Sequence, residues 1–173
     1  MISSEYTLKK VTNTLPGLEF NCGDDEINEY FHSKMHEDVE CGNSMSYMLF
    51  LQDNLVGFFT LSNSKLFCLL KGEEKSWSAV LLGQLGVQLE HQRKGYGSLM
   101  ISLAKKLSYD IRSSSGCRVL ILKTYKKYLF EVFYKNKKFH IANKKSTYLD
   151  LFYDLNDWPL EEPEVIQKWN LEI

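Results

Sequence analysis

Apolar residues recur along this chain in two periods, and the switches between them predict a mixed α/β order. Tyr6 to Val11 reads as a first strand. From Asp24 to about Glu37, Ile27, Tyr30, Phe31 and Met35 form one helical stripe behind acids that suit a helix N-terminus. Ser46 to Gln52 and Leu55 to Leu61 read as a hairpin about Asp53-Asn54. Ala79 to Val87 is short, apolar and free of proline, as in a strand buried on both faces, although it contains Gly83 and Gly86. Met100, Leu103, Ala104, Leu107 and Ile111 then mark a helix, with Ser102, Lys105, Lys106 and Tyr109 on its other faces. A strand Arg118 to Lys123, a short helix around Lys127 to Asn136 and a strand or pair within Phe139 to Leu155 complete the order. Hairpin strands followed by a βαβ unit predict an α/β (α+β) fold, a mixed sheet with helices packed on it.

Between the glycine-bearing strand and its helix lie Gln92-Arg93-Lys94-Gly95-Tyr96-Gly97. A strand, a glycine turn and a helix N-terminus aim several N–H groups and the positive helix end at one spot, where a phosphate binds. A Walker loop would need Gly-Lys-Ser/Thr, but Gly97 is followed by Ser98 and Leu99. A dinucleotide turn would need a third glycine where Met100 stands. What remains is Gln/Arg-x-x-Gly-x-Gly/Ala, with Gln92, Gly95 and Gly97 in its defining positions.

Composition narrows the setting. The 173 residues, 44% hydrophobic, suit one globular domain spanning 1–173, with an acidic extension over 156–173. No apolar run reaches the ~20 residues of a membrane span, and the start lacks signal-peptide character, so a cytoplasmic location is expected. Cys22, Cys41, Cys68 and Cys117 have no short pair spacing, which speaks for free thiols and against a zinc site. His32 and His36 lack an obvious third ligand, so no metal is expected.

The Gln92 motif resembles the pyrophosphate-binding motif of the GNAT superfamily of acetyl-CoA-dependent N-acetyltransferases. Further matches run from Leu18 to Phe31, through Phe20, Cys22, Gly23, Ile27, Tyr30 and Phe31. They continue in Leu55 to Leu61, Leu85-Gly86-Val87 and Phe133 to Phe139. Together they resemble the acetyltransferase toxins of toxin-antitoxin pairs over roughly residues 6 to 155. The resemblance implies a GNAT fold with a splayed pair of parallel strands. It also implies acetyl transfer from acetyl-CoA to the α-amine of an aminoacyl-tRNA, and a ribbon-helix-helix antitoxin as partner. Two departures stand out: Lys138 replaces a usual glycine, and Thr124-Tyr125-Lys126-Lys127 replaces a more acidic or amide-bearing stretch.

By this resemblance Leu85, Gly86, Val87 and the run Gln92, Arg93, Lys94, Gly95, Tyr96, Gly97 and Ser98 hold acetyl-CoA. A bulge favoured by Gly83 and Gly86 would free backbone to hold the pantetheine arm. Tyr134 stands at the family's tyrosine position, and a phenol with a pKa near ~10 can protonate a leaving thiolate. Glu90 and His91 lie beside the motif but are more typical of exposed loop residues. An α-amine with a pKa near ~8 would need no strong base.

From Lys123 to Lys145 eight lysines face the single Glu131, a local excess of +7 in a chain of net charge −1. Lys123, Lys126, Lys127, Lys135, Lys137 and Lys138 are the candidates to meet tRNA, with Tyr125 and Tyr128 placed to stack on bases. A plain solvated lysine face fits the same count. Trp77 suits a cover for the acceptor or a loop anchor. In the extension, Trp158 and Trp169 suit docking on the protein's own surface or on the second subunit of a homodimer. Two rivals remain: an acetyltransferase of small-molecule or protein amines, and a degenerate GNAT domain that binds without turnover.

Overall fold

The structure, a computed structural model, describes residues 6–12, 17–160 and 171–172. The strands are β1 (Tyr6–Lys10), β2 (Met45–Leu51), β3 (Asn54–Leu70), β4 (Glu73–Val87), β5 (Val119–Thr124), β6 (His140–Lys144), β7 (Leu149–Asp154) and β8 (Leu171–Glu172). The helices are α1 (Asp25–Glu29), α2 (Met35–Glu40) and α3 (Tyr96–Ser115), with a π-helical turn Tyr30–Lys34 joining the first two. The chain divides into two compact units that share β3, β4 and α3. One holds the described residues of Met1–Ser62, Gln84–Leu103 and Pro163–Ile173; the other holds those of Asn63–Gly83 and Ala104–Glu162.

In the first unit the strand order is β8-β1-β2-β3. Pairing is antiparallel except between β8 and β1, which run parallel. Its core forms where Phe20 stacks on Phe31 at 4.7 Å and meets Phe58 edge-on at 5.0 Å, with Val11, Met35, Met48 and Leu55 around them. The stripe expected on the first helix is therefore real, with Phe31 and Met35 fully inward. The helix is less regular than its spacing predicts, because Tyr30–Lys34 is wound as a π turn.

In the second unit the order is β3-β4-β5-β7-β6. β4 and β5 are parallel and register only from Ala79↔Val119 to Leu81↔Ile121, although β4 runs on to Val87 and β5 to Thr124. β5 pairs along its whole length with antiparallel β7 instead. Leu66, Cys68, Ala79, Val119 and Ile121 form the core here, flanked by Trp77 and Phe152.

Several expectations need correction. The hairpin strand expected to end at Leu61 continues to Leu70, and the strand expected from Ala79 starts at Glu73. Lys71 and Gly72 join them with φ of 53° and 80°, the paired positive values of a type I′ turn. Trp77 is thus a strand residue and not a loop anchor. Its ring meets Phe152 edge-on at 5.9 Å and carries the Arg118 guanidinium at 5.2 Å. The turn of the first hairpin falls on Gln52 and Asp53, one residue earlier than expected. On α3 the buried side is wider than the stripe, because Lys105 and Ser108 are buried as well. The segment expected as a short helix is a π turn, Phe130–Tyr134, followed by a 3-10 turn, Lys135–Lys137. Of the extension, Trp158 is buried at 2% exposure, whereas Trp169 and the acids Glu161, Glu162 and Glu164 lie outside the described residues.

Candidate acyl-CoA site

The glycine turn is built by its neighbours more than by its own sequence. After β4, Leu89–His91 form one 3-10 turn, Arg93 and Gly95 take φ of 59° and 93°, and α3 begins at Tyr96. The first N–H groups of a helix have no partner within it, so those at the start of α3 face the turn as donors. Arg93, Lys94 and Gly95 are exposed there, while Gly97 and Ser98 are half-buried. Tyr96 is buried and turns away: its hydroxyl lies 3.2 Å from that of Tyr6, and its ring meets His91 edge-on. Tyr96 therefore offers the turn its backbone only.

Gln92 does not project outward either. Its Nε2 donates to the carbonyls of Cys22 at 2.7 Å and Val87 at 3.0 Å. This clasps the turn to the end of β4 and to the loop before α1. The clasp is extended by Gln88, whose Nε2 donates to the Glu19 carbonyl while its Oε1 accepts from the Asn21 N–H. The Leu89 N–H donates to the Asn21 carbonyl as well.

The Cys22-Gly23 opening thus has a physical task. Asn21 Oδ1 accepts from the Gly23 N–H and Asn28 Nδ2, Asn28 Oδ1 accepts from the Cys22 N–H, and Asp24 caps α1. Gly23 has a φ of 79°, with Leu89 3.1 Å from where a Cβ would stand. Asn21, Asn28 and Gln88 were absent from the sequence candidates. Their signal was polar side chains flanking a glycine turn, which composition alone does not separate from an ordinary loop.

Leu85, Gly86 and Val87 lie at the end of β4 as expected. Gly86 is explained by packing: a Cβ there would stand 2.7 Å from Phe20 Cζ and 3.0 Å from Ile27 Cγ2. A bulge lies on β3, where the register with β2 steps from Leu49↔Gly57 to Phe50↔Leu55 and skips Val56. The Val56 carbonyl accepts from the Gln88 N–H, and the Gln84 N–H goes to the Thr60 hydroxyl at 3.0 Å. Glu90 is exposed; His91 is mostly covered, with Nε2 3.3 Å from Glu90 Oε1.

Tyr134 belongs to the second unit, at the end of the π turn. Its ring meets Phe133 at 5.1 Å and Phe139 at 5.8 Å, both edge-on. Burial pushes its hydroxyl pKa up, so the group keeps its proton at neutral pH. The usual glycine position, Lys138, holds φ 58° and ψ 29°, so the left-handed turn persists with a side chain in it.

The lysine-rich segment is less uniform than its charge count. Lys123, Lys126, Lys135 and Lys138 are exposed, and so are Tyr125 and Tyr128 at 68% and 64%. Lys127, however, donates to the carbonyls of Lys145 and Ser146, and Lys135 pairs with Glu131 at 2.9 Å. Lys137 lies 3.8 Å over the Phe133 ring, and burial lowers its pKa. Lys123 lies over the Tyr148 ring at 4.8 Å.

Cys22, Cys41, Cys68 and Cys117 are free thiols. Among the described residues no group of three or more His, Cys, Asp or Glu is placed to hold a metal, and no helix is long and apolar enough to cross a membrane. His32 Nε2 lies 3.0 Å from the Phe20 carbonyl and His36 pairs with Glu40.

No family model matches the chain, and no curated protein matches it. Solved structures do match. A structure of AtaTR bound with acetyl-CoA is 19% identical at TM-score 0.78, covering 91% of this chain and 98% of that one. AtaT complexed with acetyl-methionyl-tRNAfMet is 18% identical at TM-score 0.78, covering 90% and 98%. A tyrosine-to-phenylalanine mutant of KacT is 18% identical at TM-score 0.76, again covering 90% and 98%. The mixed sheet with its short parallel register, the clasped glycine turn at the start of α3 and this likeness over nine-tenths of the chain agree: the chain has the fold of AtaT and KacT, the GNAT fold that its sequence motifs resemble.

Proposed function

We propose that this protein is an acetyl-CoA-dependent N-acetyltransferase that acetylates the α-amine of an aminoacyl-tRNA in the cytoplasm and so blocks translation, held in check by an antitoxin. The clasped turn at the N-terminus of α3 carries this reading. Arg93, Lys94 and the N–H groups from Gly95 to Ser98 bind the pyrophosphate, and Gln92 sets the turn's shape. Backbone at Leu85 to Val87 orients the pantetheine arm and polarises the thioester carbonyl.

In the transfer, a bond forms between the amine nitrogen and the acetyl carbon as the carbon–sulfur bond breaks. Tyr134 gives its proton to the departing sulfur and recovers one from solvent, while the new amide sheds its extra proton to water. Burial raises the Tyr134 pKa, so the hydroxyl carries its proton when the sulfur departs. Exposed Tyr125 and Tyr128, with the exposed lysines Lys123, Lys126, Lys135 and Lys138, supply the RNA surface.

Support for the acceptor comes from the matching AtaT structures, which include one with acetyl-methionyl-tRNAfMet, one bound to the C-terminus of the antitoxin AtaR and one with acetyl-CoA. Incubation with labelled acetyl-CoA and a mixture of charged tRNAs tests the reading. Label on the aminoacyl end supports it. Saturating conditions that leave tRNA unlabelled refute it, and label on a free or protein amine would assign the enzyme to the rival acceptor class.

A further inference from the structure

Lys105 carries a charge where water hardly reaches. It is 5% exposed on α3, and an ammonium group so placed needs compensation. The structure supplies it from two sources. Nζ donates to the Lys137 carbonyl at 2.7 Å. It also lies 3.5 Å from the centre of the Tyr153 ring and 5.4 Å from that of Phe139, within cation–π range of both.

These contacts lead to Tyr134. Lys137 closes the 3-10 turn that follows it, so the accepting carbonyl is one of the helix-end oxygens without a partner in the helix, where a cation is favoured. Phe139 meets the Tyr134 ring edge-on, and the Phe139 N–H donates to the Tyr134 carbonyl at 3.2 Å. One ammonium group therefore fixes the end of the turn and a ring that bounds the tyrosine. We infer that Lys105 is a positioning residue: it holds the Phe130–Lys137 segment so that the Tyr134 hydroxyl is set for proton donation. This rests on the reading of Tyr134 as proton donor.

The test compares Lys105→Met, Lys105→Arg, Tyr134→Phe and the Lys105→Met/Tyr134→Phe double variant in labelled acetyl transfer, with hydrogen exchange of residues 129–139 as a second readout. Lys105→Met is expected to lower kcat about 10- to 100-fold, as misplacement of a catalytic group does, and to leave KM for acetyl-CoA unchanged. Exchange across 129–139 should quicken, Lys105→Arg should restore part of the rate, and the double variant should be no slower than Tyr134→Phe alone. Wild-type kcat in Lys105→Met, unchanged exchange, or losses that multiply in the double variant would each overturn the inference. If Tyr134→Phe keeps full turnover, the donor reading fails, and the exchange data still decide whether Lys105 holds the segment. Should Lys105→Met not fold, Lys105→Gln is carried through the same assays.

Discussion

Gly57 and Gly86 face each other so closely that one added methyl group should separate their strands. A Cβ on Gly57 would stand 2.5 Å from the Gly86 carbonyl oxygen and 3.1 Å from Met100 Sδ and Cε. Ordinary contact begins at 3.4 Å, so Gly57→Ala forces a shift of about 0.9 Å against backbone that cannot rotate away. Overpacking costs about 1–3 kcal/mol, and a backbone obstacle puts this substitution near ~3. For a chain of this size that is a Tm loss of about 6–12 °C. Gly86→Ala meets a side chain instead, Phe20, itself held by Phe31 and Phe58, and should cost about 2 kcal/mol. The rescue pattern separates the two cases. Phe20→Leu should relieve Gly86→Ala with a coupling of about 1 kcal/mol, whereas Met100→Ala should leave Gly57→Ala unrelieved, adding within about 0.5 kcal/mol. Chemical denaturation followed by circular dichroism measures both cycles, and thermal melts give the Tm values. A Tm change of less than about 2 °C for Gly57→Ala, or its rescue by Met100→Ala, would refute the reasoning.

Three further outcomes are expected. Because burial raises the Tyr134 pKa, the folded protein keeps that proton where an unfolded tyrosine, with a pKa of about 10, loses it. Its contribution to stability is therefore intact below pH ~10 and declines above it, and kcat should rise through the α-amine pKa of about 8 and stay level to about 10; a fall in kcat below pH 9 in a pH–rate profile would remove Tyr134 as donor. Lys71→Asn, at the first positive-φ position of the β3–β4 turn, should raise Tm by about 1–3 °C in a thermal melt, because asparagine tolerates that conformation better. Lys123→Gln and Lys135→Gln should each reduce the salt slope of tRNA binding by roughly 0.7–0.9, measured by titration at several ionic strengths; unchanged slopes would take these side chains off the RNA surface.

What the sequence made legible was local chemistry. Gly95 marks the turn because the chain there takes a φ of 93°, a conformation that glycine adopts without steric cost, just before α3 starts at Tyr96. The helical stripes were visible because Phe31, Met35, Met100 and Leu103 bury at regular spacing. The far half of β3 was hidden, since Phe67 and Leu69 stay exposed while Leu66 and Cys68 turn inward, beside a turn whose first residue is a lysine. The π turns were hidden too, because each spans only five residues, too few for its wider winding to alter the apolar spacing. Gln92 falls in the motif by sequence, but only its side-chain partners reveal that it clasps the turn from behind. Lys105 falls outside the apolar stripe by its spacing, although a long stem and two aromatic rings allow it inside.

The β3–β4 hairpin also bears on how the chain folds. Its two strands close about a two-residue turn, the shortest loop closure available, and contacts so near in sequence form on the microsecond scale. Each unit draws strands from this hairpin. If pairing in both units propagates outward from this ribbon, substitutions at Lys71 and Gly72 should change the rate of folding more than the rate of unfolding in stopped-flow kinetics.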